Sequence, residues 1–177
     1  MRRSSAGRAV RLLRWPFADV EILADGSGML SGVEVYPPGS RPEASATCGS
    51  ESVERARAAL EAYAENPQSL DCRDWTDEPC LARGSAFEQR IWRALAAIPC
   101  GATETYGELA ARAGSPGGAR AAGHAARTNP LAILLPCHRV VGASGLVGYH
   151  GRTDGPFLEV KRALLLREAE QTIRWWF

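Results

Sequence analysis

Lysine is nearly missing from this sequence. Of its 21 lysine and arginine residues only Lys161 is a lysine, so almost every positive charge is a planar arginine fork suited to phosphate and groove contacts. A GC-rich genome produces the same bias. Also absent is any apolar run near the roughly 18–20 residues of a membrane-spanning helix, which excludes that class. Histidine is scarce, and His124, His138 and His150 all lie far downstream of Cys48, Cys72 and Cys80. With no Cys-x-x-Cys either, the usual zinc spacings are missing and no metal is implied. The five cysteines are odd in number and irregular in spacing, which argues against a disulfide framework and for a reducing compartment. The cytoplasm is therefore expected, or the nucleus in a eukaryote. The opening stretch Met1 to Arg8 is basic with no hydrophobic segment behind it, so it does not read as a secretory signal. It reads either as a basic tail entering a strand or as an Arg- and Ser-rich transit leader.

At 177 residues, 45% hydrophobic and 23% charged, the chain can bury one sizeable core or two small packed domains. The net charge of +1 hides a division: residues 15–84 carry −8, residues 85–140 carry +3, and the first 14 add +5. A polyanion would engage the second half and avoid the first.

The expected architecture is α+β: a small N-terminal α/β lobe with a short antiparallel sheet, then a mostly helical C-terminal lobe. Ala9–Leu13, Val20–Leu23 and Leu30–Tyr36 alternate as strands around the Trp15-Pro16-Phe17 break and the Asp25-Gly26-Ser27-Gly28 turn. Ser50 or Ser52 opens a helix with Val53, Ala56, Leu60 and Tyr63 on one face, and Asn66-Pro67 stops it. Residues 68–84 are acidic and irregular, and read as a linker between lobes 1–83 and 84–177. The first lobe shows no chemistry of its own and is expected to scaffold the second.

In the second lobe Phe87, Ile91, Trp92, Leu95 and Ile98 keep helical spacing before Pro99. Thr105-Tyr106-Gly107-Glu108 is a capping box that opens a helix over Tyr106–Ala113. A Gly-containing turn follows, then a helix over about Ala119–Arg127, giving a helix-turn-helix of winged-helix-like type. Arg120, His124 and Arg127 share one face of that second helix around Gly123, and alanines fill most of the rest. A major-groove reader needs longer hydrogen-bonding side chains, whereas so slim a helix suits close approach in the narrow minor groove. A solvated basic face on an alanine-rich packing helix fits equally well.

The chemistry centres on Leu135-Pro136-Cys137-His138-Arg139-Val140. Pro136 fixes its own φ, so Cys137 is expected at an abrupt turn. A thiol attacks as its thiolate, which a nearby base or positive charge favours. His138 is the candidate base and Arg139 a source of charge. A bland buried cysteine accounts for the dipeptide as readily.

The surrounding residues add more. Asn129-Pro130 precedes the turn, Gly142-Ala143-Ser144-Gly145-Leu146-Val147-Gly148-Tyr149 follows it, and Lys161 to Glu168 closes the segment. From about Phe87 to Glu168 the chain resembles the O6-alkylguanine-DNA alkyltransferases, also called methylated-DNA–protein-cysteine methyltransferases. The resemblance implies DNA repair by direct reversal, in a single irreversible transfer of an alkyl group from guanine O6, or thymine O4, to Cys137. His138 would take the thiol proton through a water, Glu168 would orient His138, and Asn129 would brace the turn. Tyr106 would help rotate the nucleotide out and bond guanine N3, and Arg120 would fill the gap left in the stack. Gly123, His124 and Arg127 would share the DNA contact. Val140, Tyr149, His150 and Gly151 would join Tyr106 around the base. The implied partner is double-stranded DNA bound through its minor groove with the base flipped out, to a monomer with no cofactor and no membrane association.

Three features depart from the family pattern. Ala132 stands where relatives often carry proline, the 149–156 loop is about five residues longer than usual, and the chain ends in Trp175-Trp176-Phe177. The long loop is expected to alter tolerance for bulky adducts. Two competing functions remain in view. One is an alkyltransferase-like protein that flips damaged guanine without repairing it, a group that usually has tryptophan in place of the nucleophile. The other is a Cys-His hydrolase or transferase acting on small molecules.

Overall fold

The computed structural model describes residues 8–41, 50–149, 151–152 and 154–173. Three strands open the fold: β1 (Arg8–Trp15), β2 (Ala18–Ala24) and β3 (Leu30–Tyr36) form an antiparallel meander in that order. Pro16 and Phe17 make the first turn, while Asp25 organises the second by accepting from the Ser27 and Met29 amides. β2 is central and buried along its whole length. Its alternate residues Ala18, Val20 and Ile22 join the core, while the buried carboxylates Asp19 and Glu21 are answered by Arg14 and Arg41.

Helix α1 (Glu51–Glu65) packs against the sheet through Val53, Ala56, Leu60 and Tyr63, the face read from the sequence. Ser50 sits at its N-cap position without a side-chain cap.

Residues 68–84, read from the sequence as an acidic, irregular linker between the lobes, also contribute to the core. Three short 3-10 turns, Pro67–Ser69, Cys72–Trp75 and Pro79–Arg83, bury Cys72, Trp75, Cys80 and Leu81 in the core. The segment therefore fills space between sheet and helices, and burial of its four apolar side chains opposes its otherwise acidic surface.

The remaining elements are mostly helical: α2 (Ala86–Leu95), a two-residue strand β4 (Glu104–Thr105), α3 (Tyr106–Arg112), α4 (Ala119–Arg127), a second short strand β5 (Val140–Val141) and α5 (Pro156–Ile173). Helix α2 stops at Leu95, one turn before Ile98, although Ile98 is still buried. Both α2 and α3 begin with complete capping boxes, Ser85 with Glu88 and Thr105 with Glu108. Helices α3 and α4 pack together as the helix-turn-helix, and Gly114 takes the positive φ of 77° that ends the first helix. Short strands β4 and β5 pair in parallel.

One continuous core runs through both lobes, from Val20 and Leu60 to Leu109, Leu134 and Leu164. The sheet edge also reaches the second lobe directly. Val33 donates to the Pro130 carbonyl at 2.7 Å and accepts from the Ala132 amide at 3.0 Å. A glycine at position 32 suits this contact, since an added Cβ would lie 3.2 Å from the Pro130 oxygen. The segment leading to Cys137 is therefore hydrogen-bonded to the N-terminal sheet.

Candidate active site

The turn that carries Cys137 is built from its own backbone. Leu135 N bonds Leu131 O at 2.8 Å, and Ile133 inside that turn adopts φ +71°. A β-branched residue pays strain there, and complete burial of Leu131, Ile133, Leu134 and Leu135 holds it in place. Asn129 spans the same turn: its Nδ2 donates to Leu135 O at 2.8 Å and its Oδ1 accepts from Leu131 N at 3.1 Å. Pro136 then leads into a 3-10 turn over Cys137–Arg139.

Cys137 is half-buried at a cleft of about 120 Å³. Tyr106 and Gly123 line the cleft from the helix-turn-helix side, Arg127 and Asn129 from the end of α4, and Gly148, Tyr149 and Gly151 from the loop. A Cβ on Gly123 would sit 3.7 Å from the Tyr106 ring, so glycine leaves that aromatic face uncrowded. Gly151, at φ +73°, lies directly against Arg127, where a Cβ would come within 2.5 Å of Nε. Among the predicted site residues, Arg120 and His124 are exposed on α4 and do not line the cleft. Val140 is buried and His150 lies outside the described residues.

Burial pushes the Cys137 thiol up, and the Asn129 side chain and the Lys161 charge pull it back down. Burial drives Cys80 up to about 11 and Cys100 up to about 12. Neither lines the cleft, so Cys137 is the described cysteine that a ligand there can meet.

The two groups following Cys137 turn inward. His138 Nε2 lies 2.8 Å from Glu168 Oε1, and both side chains are fully buried. Desolvation holds His138 below its ordinary pKa despite the opposing pull of Glu168. A neutral ring that donates from Nε2 to Glu168 leaves a lone pair on Nδ1, which has no protein partner among the described residues. Arg139 does not serve the thiol as its position in sequence suggested. It is buried, and its guanidinium bonds Glu168 at 2.9 and 3.0 Å and the Ile98 carbonyl at 2.6 Å. His138 and Arg139 together hold the Glu168 carboxyl far below the usual carboxylate range, against the cost of burial.

Two participants escaped the sequence reading. Tyr63 of α1 donates to Glu168 Oε1 at 2.8 Å. Lys161 is fully buried and its ammonium donates to the carbonyls of Val140, Gly148 and Val147 at 2.6, 2.9 and 3.1 Å. It thus staples the strand after Cys137 to the loop that walls the cleft. Desolvation lowers it to about 8. The sequence signals were its rarity and its place at the head of the closing segment Lys161 to Glu168.

A sheet lobe followed by a helical lobe, with the helix-turn-helix beside a cleft thiol, is the alkyltransferase fold. A family model described as the DNA-binding domain of 6-O-methylguanine DNA methyltransferase matches residues 86–170. A Mycobacterium tuberculosis O6-methylguanine methyltransferase structure superimposes with TM-score 0.68 at 31% identity, covering 93% of this chain and 94% of that one. A second M. tuberculosis structure, OGT in complex with DNA, aligns with TM-score 0.65 at 34% identity over 91% and 92% of the two chains. The methylated-DNA–protein-cysteine methyltransferase of Mycolicibacterium paratuberculosis is 59% identical over 73 residues, 41% of this chain and 44% of that protein. The curated relatives are thus matched over somewhat less than half their length. The chain belongs to the O6-alkylguanine-DNA alkyltransferase family, the methylated-DNA–protein-cysteine methyltransferases.

Proposed function

We propose that this protein repairs alkylated DNA by direct reversal, taking the alkyl group from guanine O6 onto Cys137 in one irreversible event. The observation that carries the reading is a cleft thiol followed in the same tight turn by a buried histidine whose Nε2 meets the Glu168 carboxylate at 2.8 Å. In the forward step the Cys137 proton passes through a water to Nδ1 of His138. The thiolate attacks the alkyl carbon, the bond from that carbon to O6 breaks, and its electron pair leaves with the purine. The purine anion then takes up a proton, and a hydrogen bond from Tyr106 to N3 eases its departure. Glu168 stabilises the imidazolium that forms. The thioether has no ordinary leaving group, so each molecule acts once.

A purine inside a duplex is out of reach of this cleft, so the base must leave the stack. The slim α4 helix suits minor-groove entry, with Arg120 filling the gap and His124 and Arg127 contacting the backbone. Tyr149 and Gly151 wall the base site. The acting form is a monomer in the cytoplasm, or the nucleus of a eukaryote, and residues 1–83 scaffold the transferring domain 84–177.

Incubation with O6-methylguanine duplex followed by intact mass spectrometry tests the reading. One methyl in place of one hydrogen, mapped to Cys137, is expected at an equimolar end point. Tight binding without adduct would make the protein a damage sensor instead, and continued turnover would make it an ordinary transferase or hydrolase.

A further inference from the structure

The His138–Glu168 pair is completed by a residue from the other lobe. Tyr63 sits 105 positions before Glu168, on α1, yet its hydroxyl donates to the same Oε1 that receives His138. Arg139 Nη2 reaches that oxygen too, at 3.0 Å, while Oε2 accepts from Arg139 Nε and the Gly101 amide. Three donors therefore compete for the lone pairs of one carboxylate oxygen. The Tyr63 ring is fixed on both sides. Trp15 of β1 stacks on it at 5.9 Å, and it meets the His138 ring edge-on at 6.5 Å. The hydroxyl consequently has one direction in which to point.

We propose that Tyr63 is a positioning residue for His138, its hydroxyl setting how firmly Glu168 holds a proton on the imidazole. The assignment rests on the transfer chemistry proposed above. A phenylalanine would fill the same volume, and a buried hydroxyl costs free energy unless it is bonded. What tyrosine adds is a neutral donor that draws electron density from Oε1. Removing that donor concentrates the carboxylate's charge on His138 and Arg139, strengthens the pull on the Nε2 proton, and makes Nδ1 more basic. The other titratable groups around the pair stay the same: Arg139 and Lys161 face His138, and Arg139 and the Cys100 thiol face Tyr63. Tyr63 itself keeps its proton at every working pH, because burial and Glu168 hold its pKa well above the ordinary phenol value. It therefore acts as a constant donor, never as a proton carrier. The acidic N-terminal lobe, which showed no chemistry in its sequence, thus tunes the base used by the C-terminal lobe.

The test titrates the His138 ring by NMR in the full chain and measures single-turnover transfer from O6-methylguanine duplex against pH. In Tyr63→Phe the His138 midpoint is expected to rise by about half a unit or more. The acid limb of the rate profile should move with it, and duplex affinity should stay unchanged. Site-specific 3-fluorotyrosine at position 63 is a stronger donor of nearly the same size, so it should shift the midpoint downwards. Opposite shifts cannot come from packing alone, and the fluorinated protein decides the matter if Tyr63→Phe does not fold. An unmoved His138 midpoint in folded protein overturns the proposal. A wild type that transfers nothing refutes the repair reading, yet the NMR titration still decides the role of Tyr63.

Discussion

Lys161 Nζ and the carbonyl of Val140 lie 2.6 Å apart, joining α5 to the strand that leaves the Cys137 turn. The same ammonium holds the Val147 and Gly148 carbonyls, so one buried cation fixes both the exit from the thiol and the wall of its cleft. It also lowers the proton affinity of Cys137.

Lys161→Met should therefore raise the Cys137 thiol pKa and slow its alkylation by iodoacetamide about three- to tenfold near neutral pH. The pH profile of that reaction is the measurement, and an unchanged profile would contradict the charge coupling. Stability has its own signature. Burial lowers the native lysine to about 8, below the roughly 10.4 of an unfolded chain. Between those values the unfolded state binds the extra proton, so this group's contribution to stability should grow with pH across that window.

Acid should unfold the protein in two stages. His138 is held below its ordinary pKa, so the unfolded state binds more protons and stability declines as pH falls below about 6.5. Glu168 is also depressed, and its share is present above about 4.3 and lost as pH falls further towards its native value. Glu168→Gln should remove the second stage. It should also cost about 3–5 kcal/mol at neutral pH, because Arg139 is left buried without its anion. Urea titrations across pH report both effects.

Cys137→Ser should lower transfer by at least about three orders of magnitude, while affinity for an O6-methylguanine duplex stays within about twofold of wild type. Fluorescence anisotropy reports the affinity. A parallel loss of binding would mean that the thiol turn also shapes the DNA contact.

The cleft wall should govern adduct size. Gly151→Ala places a Cβ where Arg127 now lies and forces L-residue strain at φ +73°. It should change the ratio of transfer rates for O6-benzyl and O6-methyl guanine by about threefold or more. Trimming residues 152–156 should shift the same ratio, and constant ratios in both variants would discard the idea.

Periodicity made much of this fold readable. The α1 face of Val53, Ala56, Leu60 and Tyr63, the helix Ala119–Arg127 and the Thr105–Glu108 box each depend on residues a few positions apart. Such local patterns survive without tertiary context. The burial within residues 68–84 was not legible because 3-10 turns have no long period, and Cys72 and Trp75 are buried by partners far away in the chain. The family resemblance grouped His138 and Glu168 with Cys137, whereas the reading from the residues alone gave Arg139 to the thiol, and sequence adjacency says little about side-chain direction on a tight turn. Tyr63 and Lys161 read simply as core and helix positions. Their roles exist only where α1, α5 and the thiol turn converge.

The burial of Lys161 has a practical side. As the chain's only lysine it is fully enclosed, so amine-directed labels, cross-linkers and acylating enzymes find no side-chain target on the folded surface. Testing the DNA contact proposed above calls instead for dicarbonyl reagents that mark guanidinium groups, with Arg120 on the open face of α4 as the informative reporter.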